Sequence, residues 1–219
     1  MTSRMRFLLD LASIVPKPDG SPVRVGIDGP DGAGKTTLRK ELAALLRKQG
    51  RAVVEASLDD FHNPREYRYR QGRTSARGYW EDAFDREAFV KKVLAPLGPG
   101  GDRAIRLRHH NLATDQLLPD APGCVVGNDV TLVADGVFLQ HPALAPYWDG
   151  VLYLDVPFEE TFARMAYRDG SPSDPFAPQN ERYREAQLIY QHEVDPRAHA
   201  DIIVDNTNPA DPWVLTRVA

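Results

Sequence analysis

Along the 219 residues, short apolar runs alternate with longer stretches whose apolar positions recur at helical spacing. Val23–Asp28, Ala52–Ser57, Val130–Ala134, Val151–Asp155 and Asp201–Asp205 are brief and carry branched apolar residues, which predicts strands. Runs such as Val151-Leu152-Tyr153-Leu154 and Ile202-Ile203-Val204 lack polar alternation, as a parallel sheet covered on both faces requires. Between them Lys35–Gln49, Arg86–Leu94, Glu159–Arg168 and Asn180–Glu193 read as helices, the first with leucines at 38, 42, 45 and 46. Phe7-Leu8-Leu9 and Leu11-Ala12, interrupted by Asp10, predict an amphipathic N-terminal helix packed on the domain rather than a signal peptide. Tyr67 to Tyr79 is polar, arginine-rich and weakly periodic, and Ser171 to Pro178 is proline-rich; both predict loops. Leu97–Asp102 turns into a strand-like Ala104–Arg108. The pattern predicts one α/β domain over residues 1–219, a parallel five-stranded sheet with helices on both faces and a small lid. An N-terminal helical extension covers 1–20, and lid and substrate-side helices cover about 159–193.

The connection out of the first strand turns this architecture into chemistry. Gly29-Pro30-Asp31-Gly32-Ala33-Gly34-Lys35-Thr36 fits G-x-x-x-x-G-K-[ST], with a strand before it and a helix after it. Glycines there let successive backbone N–H groups turn inward onto a phosphate, and the positive end of the next helix adds to them. Lys35 can reach the outer phosphates, and the Thr36 hydroxyl can ligate Mg²⁺. Gly29, Asp31, Gly32, Ala33, Gly34, Lys35, Thr36 and Thr37 are therefore the candidate nucleotide contacts of a P-loop NTPase, with Mg²⁺ and ATP or GTP as phosphate donor.

Composition removes other classes. A net charge of −4, with acids and bases interspersed, gives no electrostatic case for nucleic acid or an anionic membrane surface. No apolar run approaches the roughly 18 residues of a membrane-spanning helix. The one cysteine, Cys124, cannot close an internal disulfide, which fits a cytoplasmic location, and it reads as a small buried apolar residue.

A phosphate loop does not by itself separate a kinase from a switch GTPase or a motor ATPase. Ser57-Leu58-Asp59-Asp60-Phe61-His62 puts two carboxylates at the carboxyl end of a strand, where open parallel sheets bind ligands. Asp59 there either accepts the proton of an attacking hydroxyl or caps the next turn. Asp135 offers Mg²⁺ a strand-terminal carboxylate or serves as a turn residue before Gly136. Arg164 and Arg168, four apart, share a helical face that closes over a triphosphate or stands solvated. Arg182 and Arg184 read as surface residues, and Tyr183, Gln187, Tyr190 and Glu193 as a core-facing stripe with a polar edge. A guanine-specific Asn-Lys-x-Asp motif is missing, since Asp205-Asn206-Thr207-Asn208 does not fit it.

Gly29–Thr37, Ser57–Phe61, Asp82-Ala83-Phe84-Asp85, Ala134–Phe138, Arg164 with Arg168, and Ala200–Val204 follow one another in a recognisable order. From about Val23 to Asn206 the chain resembles the uridine kinase, phosphoribulokinase and nicotinamide riboside kinase family of P-loop small-molecule kinases. The resemblance implies Asp59 as catalytic base beside Lys35, Asp60 orienting the loop, and Asp135 with Thr36 at Mg²⁺. It implies Arg164 and Arg168 as lid arginines acting in transfer, and Gln187 near the substrate. For the rest of the substrate side, Tyr79 or Trp80 can stack a flat ring or pack under the lid, and Glu81 or Asp82 can bind a diol, while His62 and His110 line the pocket. Here the chain departs from the family. Tyr79 falls where nucleoside kinases carry a ribose-binding Asp, His110-Asn111 replaces a Tyr-Asp pair, and His62 stands where uridine kinases often have Tyr. His109 and His110, adjacent on a strand, point to opposite faces and do not share a metal.

The expected activity is transfer of the γ-phosphoryl of ATP to a hydroxyl of a small molecule, a nucleoside in the first place. Pantothenate, nicotinamide riboside or a sugar is the alternative acceptor, and a non-kinase P-loop regulator the alternative class. The expected partners are a nucleoside triphosphate and a small-molecule alcohol, without nucleic acid or membrane, and a homo-oligomer is left open.

Overall fold

The computed structural model describes residues 1–217. Its central sheet holds β1 (Val23–Asp28), β2 (Ala52–Ser57), β3 (Val130–Asp135), β4 (Gly150–Asp155), β5 (Ile202–Asp205) and β6 (Trp213–Arg217). In space they run β6-β5-β4-β1-β3-β2. The first five are mutually parallel, and β6 joins the edge antiparallel to β5. The five expected strands are thus present with a sixth beyond them. Trp213, Val214 and Leu215 stay exposed on that edge, so no buried apolar run marks the strand.

The strands in the middle bury both faces. Val25, Ile27 and Val133 face a core completed by the helices α1 (Ser3–Ile14) and α2 (Lys35–Lys48) through Phe7, Leu8, Leu11, Leu38, Leu42 and Leu46. Ala56, Leu132 and Ala134 face an aromatic core of Phe61, Trp80, Phe84, Phe89, Phe138 and Tyr190. The expected N-terminal helix is α1, and Thr2 caps it by accepting a hydrogen bond from Met5 N at 3.2 Å. Three further helices are α3 (Ala76–Asp82), α4 (Phe158–Asp169) and α5 (Pro178–Val194).

Several local expectations need correction. The 67–79 segment is not one loop: a single turn of helix spans Arg65–Arg68, and α3 starts at Ala76 behind Ser75, whose hydroxyl accepts from Gly78 N at 2.9 Å. The expected Arg86–Leu94 helix is α-helical only over Arg86–Phe89, then widens to a π turn and tightens to a 3₁₀ turn holding Pro96. Ala104–Ile105 pairs antiparallel with Cys124–Val125, and His110–Asn111 with Gln116–Leu117, making a small β excursion at the end of β2. Cys124 lies exposed on it rather than buried, because this two-residue strand has no layer packed over it. Among the described residues no helix is long and apolar enough to cross a membrane.

Candidate active site

β1 sits between β4 and β3, and the chain leaving it crosses to β2 on the far side of β3. The carboxyl ends of the parallel strands therefore open into a crevice where the connections diverge. The phosphate loop fills its floor. Gly32 has φ +78°, and a side chain there would run into the Thr161 backbone carbonyl on α4. Only glycine suits both demands. Lys35 Nζ donates to the Gly29 and Pro30 carbonyls at 2.8 and 2.7 Å, so the ammonium is held against the loop it serves. From behind, Asn206 Nδ2 donates to the Ala33 carbonyl at 2.7 Å.

A cleft of about 760 Å³ opens above, lined by Asp31, Gly32, Gly34, Lys35, Thr36 and Thr37 together with Asp59, Asp135, Arg164 and Arg168. Gly29 and Ala33 shape the loop from beneath this surface. Register explains why three acids converge: Asp135 at the end of β3 pairs with both Ile27 and Ser57, which brings β1, β2 and β3 to a common end. The Thr36 hydroxyl donates to Asp135 Oδ2 at 2.5 Å, and Arg39 pairs with the other carboxylate oxygen. These hard oxygens fit Mg²⁺, a hydroxyl and a carboxylate from two elements with room for phosphate oxygens in the cleft. Arg39 was not singled out in the sequence; its position one turn after Thr36 puts it on the same helical face.

Asp59 lies on the 3₁₀ turn Leu58–Phe61 directly after β2. Desolvation by the surrounding cleft walls pushes its pKa up to about 6, although the carboxylate still reaches solvent; Lys35 opposes this, and the like charges of Asp135, Asp31 and Asp60 reinforce it. Asp60 turns away to accept from Arg108 Nε at 3.3 Å, and its carbonyl holds His109 N at 3.0 Å, tying the β excursion to this turn. His62 Nδ1 lies 2.8 Å from the Asp59 carbonyl, to which it donates, and the ring rests on Phe84 with centroids 4.5 Å apart. Burial holds its pKa down near 4, so the imidazole is neutral and positions the Asp59 backbone.

The two arginines of α4 part ways. Arg164 donates to the Asn206 and Thr207 carbonyls at 2.9 and 2.8 Å and approaches Ala33 O at 3.4 Å, bracing the phosphate loop against the 206–207 connection. Arg168 projects from the cleft rim and pairs with its neighbour Asp169 at 2.5 Å. At the opposite end Arg4 of α1 joins Asn206 and Pro209 in the cleft wall, a contribution of the N-terminal helix that no local motif announces.

The structure divides the expected substrate residues. The Tyr79 hydroxyl stands 3.3 Å from both Asp31 carboxylate oxygens, at the mouth of the loop. His110 is buried against a second recess of about 410 Å³ that also exposes Asp59, with Nε2 3.3 Å from Asp115. Gln187 is buried on α5, with no partner for either polar atom. Trp80 and Asp82 are not brought to the site. Trp80 packs into the aromatic core against Phe138, His141 and Tyr190, and its Nε1 donates to Glu193. Asp82 is 1% exposed and engaged by Arg70 and Gln71. Helical geometry sends neighbours in sequence to different faces, so Tyr79 reaches the site and the next residues do not. Arg182 is buried rather than a surface residue.

A buried carboxylate anchors the loop from below. Asp28 accepts from Gly29 N at 2.7 Å, from the Tyr190 hydroxyl at 2.5 Å and from Gln140 Nε2 at 3.2 Å. Burial raises its pKa against these hydrogen bonds. We expect Tyr190→Phe to cost about 1–3 kcal/mol, the range for a buried acceptor losing a donor. Because the same carboxylate holds Gly29, the KM for nucleotide should rise too; urea unfolding with unchanged midpoint would contradict the first effect, and initial rates test the second.

No family model matches the chain. A thymidylate kinase of Xanthomonas campestris pv. campestris is 30% identical over 190 residues, 82% of this chain and 78% of that protein. The chain is a P-loop kinase. A possible uridine kinase from Bacillus stearothermophilus shares the fold, with a TM-score of 0.69 at 24% identity over 91% of this chain and 96% of that one. So does a Silicibacter sp. protein provisionally named a fructose transport system kinase, with a TM-score of 0.64 at 23% identity over 86% and 95%. This kinase therefore combines a nucleotide-binding P-loop with the α/β sheet of small-molecule phosphotransferases.

Proposed function

We propose that this kinase transfers the γ-phosphoryl group of ATP to a hydroxyl on a small molecule, with Asp59 as the catalytic base. The observation that carries the reading is Asp59 at the edge of the phosphate cleft, its pKa raised to about 6, lining both the cleft and the recess beyond it. The acceptor oxygen bonds to the γ-phosphorus as the bond from that phosphorus to the β,γ-bridging oxygen breaks. The hydroxyl proton passes to Asp59, and ADP leaves. Lys35 and the loop N–H groups hold the phosphates in line. Thr36 and Asp135 would hold Mg²⁺, which would supply neutralisation of the phosphate charge. Arg168, free of the backbone bracing that occupies Arg164, is the lid arginine that meets the moving charge, and Arg164 is a positioning residue.

A nucleoside remains the first acceptor to test, supported by Tyr79, His62, His110 and Gln187 and weakened by the placement of Trp80 and Asp82. The test is ADP formation by purified protein with Mg²⁺-ATP across nucleosides, sugars, pantothenate and other alcohols. Hydrolysis that ignores every acceptor would overturn the kinase reaction in favour of a nucleotide switch. The pH profile gives a second check. A base must be deprotonated to act, so kcat/KM should climb as pH rises through about 6 and level off above it. A profile flat from about pH 5 to 8 would remove Asp59 from that role.

A further inference from the structure

Three guanidinium groups crowd one aromatic ring beside the acceptor side of the cleft. Arg68, Arg73 and Arg182 place their central carbons 5.3, 5.1 and 4.9 Å from the centre of the Tyr69 ring. Arg182 also lies 5.0 Å from the Tyr79 ring centre and 5.9 Å from that of Tyr183. Arg68 and Arg182 are each only 8% exposed. A buried guanidinium normally meets a carboxylate, because an unpaired charge removed from water costs several kcal/mol, on the order of the ion's desolvation.

That compensation is incomplete here. Among the described residues Arg68 has Asp115 at 3.3 Å, whereas neither Arg73 nor Arg182 has a carboxylate within 4.0 Å. Asp115 is itself divided between Arg65, Arg68 and His110. Arg182 donates to one neutral acceptor, the Arg73 carbonyl at 3.0 Å. The Nε atoms of Arg68 and Arg182 have no acceptor, and neither polar atom of the buried Gln187, on the same helix as Arg182, has a partner. Buried polar groups are paired in the great majority of cases, so several unpaired donors in one place point to a partner outside the chain.

The cluster adjoins the reacting centre through two residues. Tyr79, beneath Arg182, touches Asp31 of the phosphate loop. His62, bonded to the Asp59 carbonyl, feels Arg68 and Arg182 as like charges. Guanidinium forks match the paired oxygens of carboxylates and phosphates, which a neutral nucleoside does not offer.

We propose that the acceptor carries an anionic group, a carboxylate or a phosphate, seated on Arg68, Arg73 and Arg182, while its hydroxyl faces Asp59. This rests on the kinase reading above and adds the chemical class of its substrate. Aromatic packing of the arginines without any ligand is the competing account.

The test uses matched acceptors that differ in charge: glycerol, glycerate and glycerol 3-phosphate, and thymidine against thymidine 5′-phosphate. Transfer from Mg²⁺-ATP is followed by ADP release, with ³¹P NMR locating the new phosphoryl group. Anionic members should exceed their neutral counterparts in kcat/KM by about tenfold or more, the scale of one charge-assisted hydrogen bond. Arg73→Gln and Arg182→Lys should bring that ratio towards one, through KM rather than kcat. Arg73 is exposed, so its variant keeps the test informative if the buried Arg182 variant fails to fold. In parallel, with β,γ-imido-ATP occupying the phosphate loop, the anionic members should raise Tm and glycerol should not. A gain confined to glycerate identifies a hydroxy acid, and one confined to the phosphates a phosphate ester. Neutral acceptors used as well as anionic ones would overturn the proposal and leave the kinase standing. Absence of transfer to every member, with a Tm shift that Arg73→Gln abolishes, would uphold the anion site and count against the kinase reading. Absence of both transfer and shift would overturn the two together.

Discussion

Replacing Asp59 by asparagine should cut kcat by about 10²–10⁴-fold, the loss that follows removal of a general base, and at the same time make the protein more stable. The second half follows from the pKa. The carboxyl's pKa is raised to about 6 in the folded protein against 3.8 as a free side chain, because the cleft walls desolvate it and other acids surround it. Folding therefore favours its protonated form, and wild-type stability declines as pH rises from about 4 through 6. Above that window the ionised group imposes a penalty, which solvent reaching the exposed carboxylate screens to about 1 kcal/mol or less. Asparagine carries no charge, so the variant should gain Tm at pH 7 and show little gain at pH 4. Denaturant titrations at both pH values decide this. An equally large gain at pH 4, or normal turnover at pH 7, would contradict the placement of Asp59 as a base held among like charges. Such a trade between stability and activity is expected where like charges are gathered for catalysis.

Gly32→Ala should remove nucleotide binding and lower stability by about 2–5 kcal/mol. Two costs add. An L-residue at φ +78° pays about 1–2 kcal/mol for the left-handed backbone. The new methyl group also meets the Thr161 carbonyl, and Met165 stands close by. Overpacking of that kind costs about 1–3 kcal/mol. Relief requires the loop to lift from α4, which turns its N–H groups away from the position where phosphates bind. Calorimetric titration with Mg²⁺-ATP and thermal unfolding measure the two effects separately. Gly20→Ala is the comparison: it shares a positive φ of 69° but has open space around it, so only the backbone cost applies.

The parts of the fold legible in the chain were those whose signal is contiguous. β1 and β2 follow from runs of branched apolar residues that end where turn chemistry begins, and both occupy the residues expected of them. The phosphate loop was legible for the same reason, since its strand, glycines, lysine and helix succeed one another without interruption. The antiparallel edge β6 was not, because an exposed edge strand needs no apolar run and its pairing with β5 is a tertiary event. Trp80 and Asp82 were misplaced because a motif read along the chain does not say which residues a short helix such as α3 turns towards a cleft.

The acceptor side depended most on the third dimension. Arg68 and Arg182 are more than one hundred residues apart and meet at Tyr69 only because α5 returns across the 65–73 segment. Asp28 and Tyr190, separated by 162 positions, share a hydrogen bond that neither neighbourhood foretells. The sequence by itself determined the five parallel strands, the phosphate loop and the carboxylates after β2 and β3, because local propensity and motif spacing act over a few residues. Tertiary structure decided which side chains face Asp59 and which charges are left without partners, because burial and ion pairing depend on what the folded chain brings alongside.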